Sequence, residues 1–395
     1  MKKQILIVSS SLSTGGLEKC LINLCDNLDY DKYEVDLYLF NEGRDLLGKL
    51  NKNVNLLAES PLYYDVYNKS FGSSVKTLIK KKKFRLALYR IGRFIRARFK
   101  KTKFMPRDWK QMQKTMLKID KAYDVAIGFE EGAACYFVAD KTIAKTKLGW
   151  IHTDIKMISS NAKLDKNAFS KLDKVITVSQ NSLNSLKEVY PEYADKFTCI
   201  PLPRLLDYQT IDRLASEENQ MKGGETKILS VGRLVELKGF HLCVPVLRRL
   251  LDDGYNVKWY IAGDGDYRET VEELIKKYGV EDKFILLGNC SNPYTYIKSA
   301  DICVQPSSYE GLSVVVLEEK YFSKPVVVSN IPSNLEMIED GENGIVVKRN
   351  EDEIYQGIKK LLDDDSLRNK LASTPVKGLS SNEEIIKSIE KEFKF

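Results

Sequence analysis

The sequence predicts an α/β protein built from two Rossmann-like, doubly wound domains. Three observations carry that expectation. The chain has 395 residues, enough for two domains of ordinary size. Short β-rich apolar runs alternate with helical patterns of roughly ten to fifteen residues. The same plan is repeated in each half, and alternation of this kind means parallel strands joined by helices.

In the first half, strands are expected near residues 4–9, 34–40, 124–129, 147–152 and 174–179, with a helix over 17–28. In the second half they are expected near 227–231, 258–262, 284–287, 302–305, 325–329 and 344–347, with helices over 241–253 and 268–278 among those between them. Pro201-Leu202-Pro203 and the polar stretch 216–226, with Gly223-Gly224, carry turn and linker chemistry. The expected domains are therefore 1–205 and 206–380. Residues 381–395 are expected to form a C-terminal helix that packs back on the first domain. Two such domains facing one another would leave a cleft at the carboxyl ends of both sheets, where open sheets bind ligands.

Composition narrows the class of function. A chain with 43% hydrophobic and 30% charged residues is globular, neither disordered nor fibrous. No apolar run approaches the roughly 18 residues of a membrane span. The basic-then-apolar start, Met1-Lys2-Lys3-Gln4 and 5–8, passes at once into Ser and Gly and reads as a first strand, not a signal peptide. Seven scattered cysteines without a Cys-x-x-Cys pair point to a reducing cytoplasm and away from structural zinc. With only His152 and His241 in the chain, a site of several imidazoles is excluded.

Three motifs fall at expected strand ends. Ser13-Thr14-Gly15-Gly16-Leu17-Glu18 lies between the first strand and a helix, where paired glycines let a phosphate approach backbone amides. Val231-Gly232-Arg233-Leu234-Val235-Glu236-Leu237-Lys238-Gly239 offers a diphosphate a forked cation and a point charge. In Pro306-Ser307-Ser308-Tyr309-Glu310-Gly311-Leu312-Ser313-Val314-Val315-Val316-Leu317-Glu318, two carboxylates flank a strand-to-helix turn, with Ser313 as the expected N-cap. Glu318 is placed to accept both hydroxyls of a ribose and Glu310 those of a sugar.

In this order and spacing the residues resemble family 4 of the retaining glycosyltransferases, which have the GT-B architecture of two facing Rossmann-like domains. The resemblance runs from Gly15-Gly16 to Glu336 and is strongest in the second domain. There Ala262-Gly263-Asp264-Gly265, Leu287-Gly288-Asn289 and Pro325-Val326-Val327 join the motifs already quoted. It implies that Arg233 and Lys238 bind the donor's phosphates and Glu318 the ribose, while Glu310 with the amides of Gly311, Leu312 and Ser313 binds the sugar. Gly288, Asn289 and Cys290 would pass beside the base. His152, in Trp150-Ile151-His152-Thr153-Asp154, matches a family histidine near the sugar and the reacting carbon. His152 and Glu310 are thus the catalytic candidates. Gly15, Gly16, Arg233, Lys238, Gly288, Asn289, Cys290, Gly311, Leu312, Ser313 and Glu318 are the donor-binding ones. The chain departs from the pattern at Ser313, at Glu319-Lys320-Tyr321-Phe322-Ser323 in place of small residues, and at Pro203 in place of an Asn.

The expected reaction moves a hexose or N-acetylhexosamine from a nucleotide diphosphate sugar, a UDP-sugar, to a lipid-linked glycan acceptor with retention. The setting would be synthesis of a bacterial surface polysaccharide. No cofactor and no metal are expected: Asp29-Tyr30-Asp31 and Asp264-Gly265-Asp266 spell Asp-x-Asp, but neither stands where a metal-binding pair is needed. Glu130 and Glu131, at a strand end, are candidates for touching the acceptor. An epimerase or phosphorylase of the same architecture and a two-domain binding protein are the competing readings.

Residues 76–103 hold 13 Lys and Arg and no acid, so a chain of net charge +7 would be −6 without them. Phe84, Leu88, Ile91, Ile95 and Phe99 recur on one helical face. This predicts an amphipathic helix on an anionic membrane, held by Lys80, Lys81, Lys82, Lys83, Arg93, Arg96 and Arg98, on the inner face of the plasma membrane. The competing expectation is a helix whose apolar face packs on the first domain. No nucleic-acid motif is present.

Overall fold

The computed structural model describes residues 2–13, 16–41, 43–99, 106–158, 161–201, 208–310, 313–376 and 382–393. The chain divides into two compact units, Met1–Leu205 with Ser380–Phe395, and Leu206–Leu379.

Among the described residues the first unit holds seven parallel strands: β1 Lys3–Ser9, β2 Tyr33–Leu39, β3 Val54–Leu56, β4 Ala122–Gly128, β5 Ile143–Ile151, β6 Lys174–Thr177 and β7 Phe197–Cys199. Their order across the sheet is β3-β2-β1-β4-β5-β6-β7. The chain runs outward from β1 to one edge, then restarts at β4 beside β1 and runs to the other. The β1/β4 crevice is therefore the topological switch point. Helices cover both faces, and the middle of β1 is accordingly an apolar run: Ile5, Leu6, Ile7 and Val8 are all fully buried. The helix Asn382–Glu392 belongs to this unit. Tyr33 donates its hydroxyl to Glu390 at 2.9 Å, and Thr146 donates to the carbonyl of Phe393 at 3.0 Å.

The described residues of the second unit hold six parallel strands: β8 Thr226–Val231, β9 Val257–Ala262, β10 Phe284–Gly288, β11 Ile302–Gln305, β12 Val326–Ser329 and β13 Ile345–Val347. Their order is β10-β9-β8-β11-β12-β13, which puts the switch point between β8 and β11.

The structure differs from expectation in three places. β3 and β7 are three-residue edge strands, too short to show a period of two. The polar stretch 216–225 is docked on the second unit: Asn219 donates to the carbonyl of Thr295 at 2.9 Å and to Ser299 Oγ at 2.8 Å, and Met221 is buried. Its lack of apolar period reflects anchoring by side-chain hydrogen bonds. Between β3 and β4 lies a helical excursion that includes Phe71–Lys80, Phe84–Phe99 and Pro106–Met112.

Candidate functional site

In the second unit the residues after β8 and β11 are drawn together by close backbone packing. Gly239 has φ +74°, and a Cβ there would lie 2.3 Å from the carbonyl oxygen of Pro306, so the short turn Glu236–Lys238 closes on the β11 loop only with glycine. Gly263 has φ +155°, and a Cβ on it would come within 1.9 Å of the Gly232 carbonyl, which explains the Gly263-Asp264-Gly265 turn as a backbone crossing.

Arg349 ties the two loops, donating from Nε to Pro306 O at 3.1 Å and from a terminal nitrogen to Glu236 O at 3.1 Å. This packing brings Lys238 Nζ to 2.5 Å from Glu310 Oε1, which also accepts from Ser307 Oγ at 2.8 Å. Lys238 and Glu310 are both largely shielded from solvent, a setting in which charge-assisted hydrogen bonds are strong. Arg233 stands exposed on the same loop as Lys238.

Ser313 precedes the helix Val314–Tyr321, but its hydroxyl makes no capping hydrogen bond. The expected N-cap bond is thus not formed; Ser313, with ψ 87°, is the helix's boundary residue, and its carbonyl accepts from the N–H of Val316 at 3.1 Å. Glu318 is buried on that helix. Gly288, Asn289 and Cys290 lie at the end of the edge strand β10, with Gly288 at φ +77°. Gly311 and Leu312 lie outside the described residues, as do Gly15 and Pro203.

Beneath this loop is a polar layer that the sequence did not announce. Glu319 is fully buried and accepts from Gln305 Nε2 at 2.6 Å. Burial pushes its carboxyl up to about 8, so it is protonated at neutral pH. Lys320 is buried too and donates to the carbonyls of Leu371 and Ala372; burial pushes its ammonium down to about 8.

In the first unit, the segment after β4 grips the end of β5. The carboxylate of Glu131 accepts the backbone N–H of His152 at 2.9 Å, and His152 Nε2 lies 2.8 Å from the carbonyl of Phe129. A carbonyl can only accept, so Nε2 carries the proton and Nδ1 keeps its lone pair. Nδ1 is buried with no partner among the described residues. Burial holds the imidazole below its ordinary range, against the opposing charge of Glu131, so the ring is neutral near pH 7. Trp150 stacks on it at 5.9 Å. Glu130 turns to β1, accepting from Ser10 Oγ at 2.9 Å. Gly16 opens the helix Gly16–Asn27 with open space where a Cβ would stand, so packing does not demand a glycine there. His241 lies in the short turn Phe240–Leu242, against Tyr267.

The basic excursion is rearranged relative to expectation. Arg93 lies over the Tyr67 ring at 5.3 Å, Arg96 pairs with Asp108 at 3.1 Å and Lys81 pairs with Asp65. Lys81 and Arg96 thus serve two buried acids, and Asp65 is paired with Lys69 as well, at 2.9 Å. Lys80, Lys82, Lys83 and Arg98 are exposed. The helix Phe84–Phe99 packs inward through Ala87 and Leu86, against Val66 and Leu78. Phe84, Leu88 and Ile95 point outward at 57, 68 and 50% exposure. Among the described residues no helix is long and apolar enough to cross a membrane, and no group of three or more His, Cys, Asp or Glu could hold a metal ion.

With this geometry in hand, known proteins place the fold and the second unit. Residues 212–374 match the model of the family described as glycosyl transferases group 1. The chain is 33% identical over 202 residues to the N-acetylgalactosamine-N,N'-diacetylbacillosaminyl-diphospho-undecaprenol 4-alpha-N-acetylgalactosaminyltransferase of Campylobacter jejuni. That match covers 51% of this chain and 53% of the relative, so the chain spans about half the relative's length. It is 22% identical over 381 residues to the amylovoran biosynthesis glycosyltransferase AmsD of Erwinia amylovora, covering 94% and 93% of the two chains. Among solved structures, Anabaena HepE in complex with UDP superimposes with a TM-score of 0.68 at 16% identity over the whole of both chains. The fold is that of the GT-B proteins, with two parallel-sheet, Rossmann-like domains.

Proposed function

We propose that the protein transfers a hexose or N-acetylhexosamine from a UDP-sugar to a lipid-linked glycan acceptor with retention of configuration, in surface polysaccharide synthesis. The observation that carries this reading is the Lys238–Glu310 pair at the β8/β11 switch point, with Arg233 on the same loop and Glu318 on the following helix. Cations and carboxylates are matched there to the two ends of a nucleotide sugar. The family match over 212–374, the names of the relatives and the UDP held by HepE support it.

In this reading the glycosidic C–O bond breaks with its electron pair passing to the departing phosphate. Arg233 and Lys238 balance the charge that grows there, as preorganised electrostatic partners that need no metal. The acceptor oxygen bonds to the same face of the anomeric carbon, and its proton goes to the leaving phosphate oxygen. Glu310 accepts from sugar hydroxyls and shares Lys238 with the diphosphate. His152, neutral and with Nδ1 unprotonated, is the first unit's catalytic candidate. Glu318 binds the ribose, and Gly288 to Cys290 run beside the base.

The outward Phe84, Leu88 and Ile95, flanked by Lys80, Lys82, Lys83 and Arg98, favour peripheral docking on the anionic inner face of the plasma membrane. Each cation near such a surface adds about 1 kcal/mol. The test of the activity is nucleotide release from a panel of nucleotide sugars, with and without lipid-linked acceptor, repeated in chelator. The reading expects release from a UDP-sugar that is stimulated by acceptor and indifferent to chelator. Release from none of the panel would overturn it. The docking test is co-sedimentation with anionic vesicles that weakens with salt and is lost when Leu88 and Ile95 become Ser. Unchanged sedimentation of that variant would refute the membrane role.

A further inference from the structure

Glu130 has no part in the chemistry above, yet it occupies the other switch point. It follows β4 directly, is half-buried, and is bound by Ser10 at the end of β1, so it bridges the crevice in which open sheets take their ligands. Its neighbour is committed elsewhere, since Glu131 holds the backbone of His152. The charges that act on Glu130 are negative, Glu131 beside it and Glu18 on the helix Gly16–Asn27; the Tyr63 hydroxyl, which donates to Asn41, also faces it. A phosphate brought here would meet like charge. A neutral hydroxyl would meet an acceptor with spare lone pairs, because an ionised carboxylate offers about four and Ser10 uses only part of them.

Resting on the transferase reading, we infer that Glu130 binds the acceptor sugar, its carboxylate accepting a hydrogen bond from an acceptor hydroxyl. Burial first, with the two acids adding to it, pushes this carboxyl up to about 7. The hydrogen-bond-accepting form therefore fills as pH rises through 7.

The test is Glu130→Gln, which keeps an oxygen for Ser10 but removes the charge. With the acceptor that the parent enzyme takes from the panel, kcat/KM for acceptor falls about thirtyfold, the scale of one hydrogen bond to a charged group, while the Kd of UDP by calorimetry is unchanged. The parent's kcat/KM for acceptor rises with pH to a plateau above 7, and the variant's does not. Folding raises this carboxyl above its unfolded range, so the parent loses stability relative to the variant as pH climbs from about 4.5 to 7. Glu130→Gln is accordingly the more heat-stable protein at pH 8, and its advantage disappears at pH 4. A purely structural Glu130 would give a variant that melts lower at pH 8. That result, or unchanged acceptor kinetics, or a loss of UDP affinity matching the loss for acceptor, overturns the inference. A parent that turns over no nucleotide sugar would instead overturn the transferase reading, leaving the melting comparison to judge whether Glu130 is held for a ligand.

Discussion

Both sheets place a carboxylate where their strand order reverses, Glu130 between β1 and β4 and Glu310 between β8 and β11. Each accepts a hydrogen bond from a serine, Ser10 in one unit and Ser307 in the other. Their surroundings differ in sign. Glu310 lies 2.5 Å from Lys238, with Arg233 on the same loop, whereas the charges on Glu130 are those of Glu18 and Glu131. On the readings proposed above, one backbone plan serves a phosphate in one unit and a hydroxyl in the other, the choice being made by side chains just beyond the strands. Fold alone does not decide the ligand.

The comparison breaks most visibly if the cations of the second switch point are removed. Lys238→Ala or Arg233→Ala should lower turnover by about two to three decades, the loss typical of a transition-state charge partner. Far-UV circular dichroism should be unchanged. Lys238→Ala should be the worse of the two, because it also leaves Glu310 without its partner. Parent rates in either variant would show that this loop does not carry the leaving-group charge. Next in size, Glu318→Ala should weaken UDP binding by roughly ten- to a hundredfold, as for a lost hydrogen bond to a charged group. Calorimetry showing equal affinity would remove the ribose role.

The smallest effect concerns stability. Glu319 is protonated in the fold up to about 8, well above its range in an unfolded chain. Its contribution therefore declines as pH rises between about 4.5 and 8. Glu319→Gln, which can still pair with Gln305, should flatten the dependence of Tm on pH over that window. An unaltered Tm profile would mean that the carboxyl is ionised in place.

The fold class was legible because both sheets are buried on two faces, which gives β1, β8 and β11 short, mostly apolar runs between amphipathic helices. β3 and β7 were not, since a three-residue edge strand has no period to read. In the candidate site, the spacing of Glu310 and Glu318 could be read because one strand-to-helix turn spans it. Arg349 could not: its role depends on reaching Pro306, 43 residues away in the chain. Glu319 was visible only as an odd residue where small ones are usual. Its burial, and the direction of its titration, come from packing beneath the helix Val314–Tyr321. The internal partners of Arg93 and Arg96 could not be read from the sequence, because Tyr67 and Asp108 come from other helices of the excursion.

The helix Asn382–Glu392 gives the chain an unusual order of assembly. It belongs to the first unit but is made after the whole of the second, so on the ribosome the first sheet, its strands complete, must wait for this helix while 174 intervening residues emerge. The second unit, continuous in sequence, can fold in that interval. Tyr33 and Thr146, the residues that receive the late helix and the chain just after it, lie on β2 and β5. Slow translation or a stop codon before residue 382 would therefore leave an early-synthesised β-sheet uncovered, making the oldest part of the nascent protein the most vulnerable to aggregation and proteolysis.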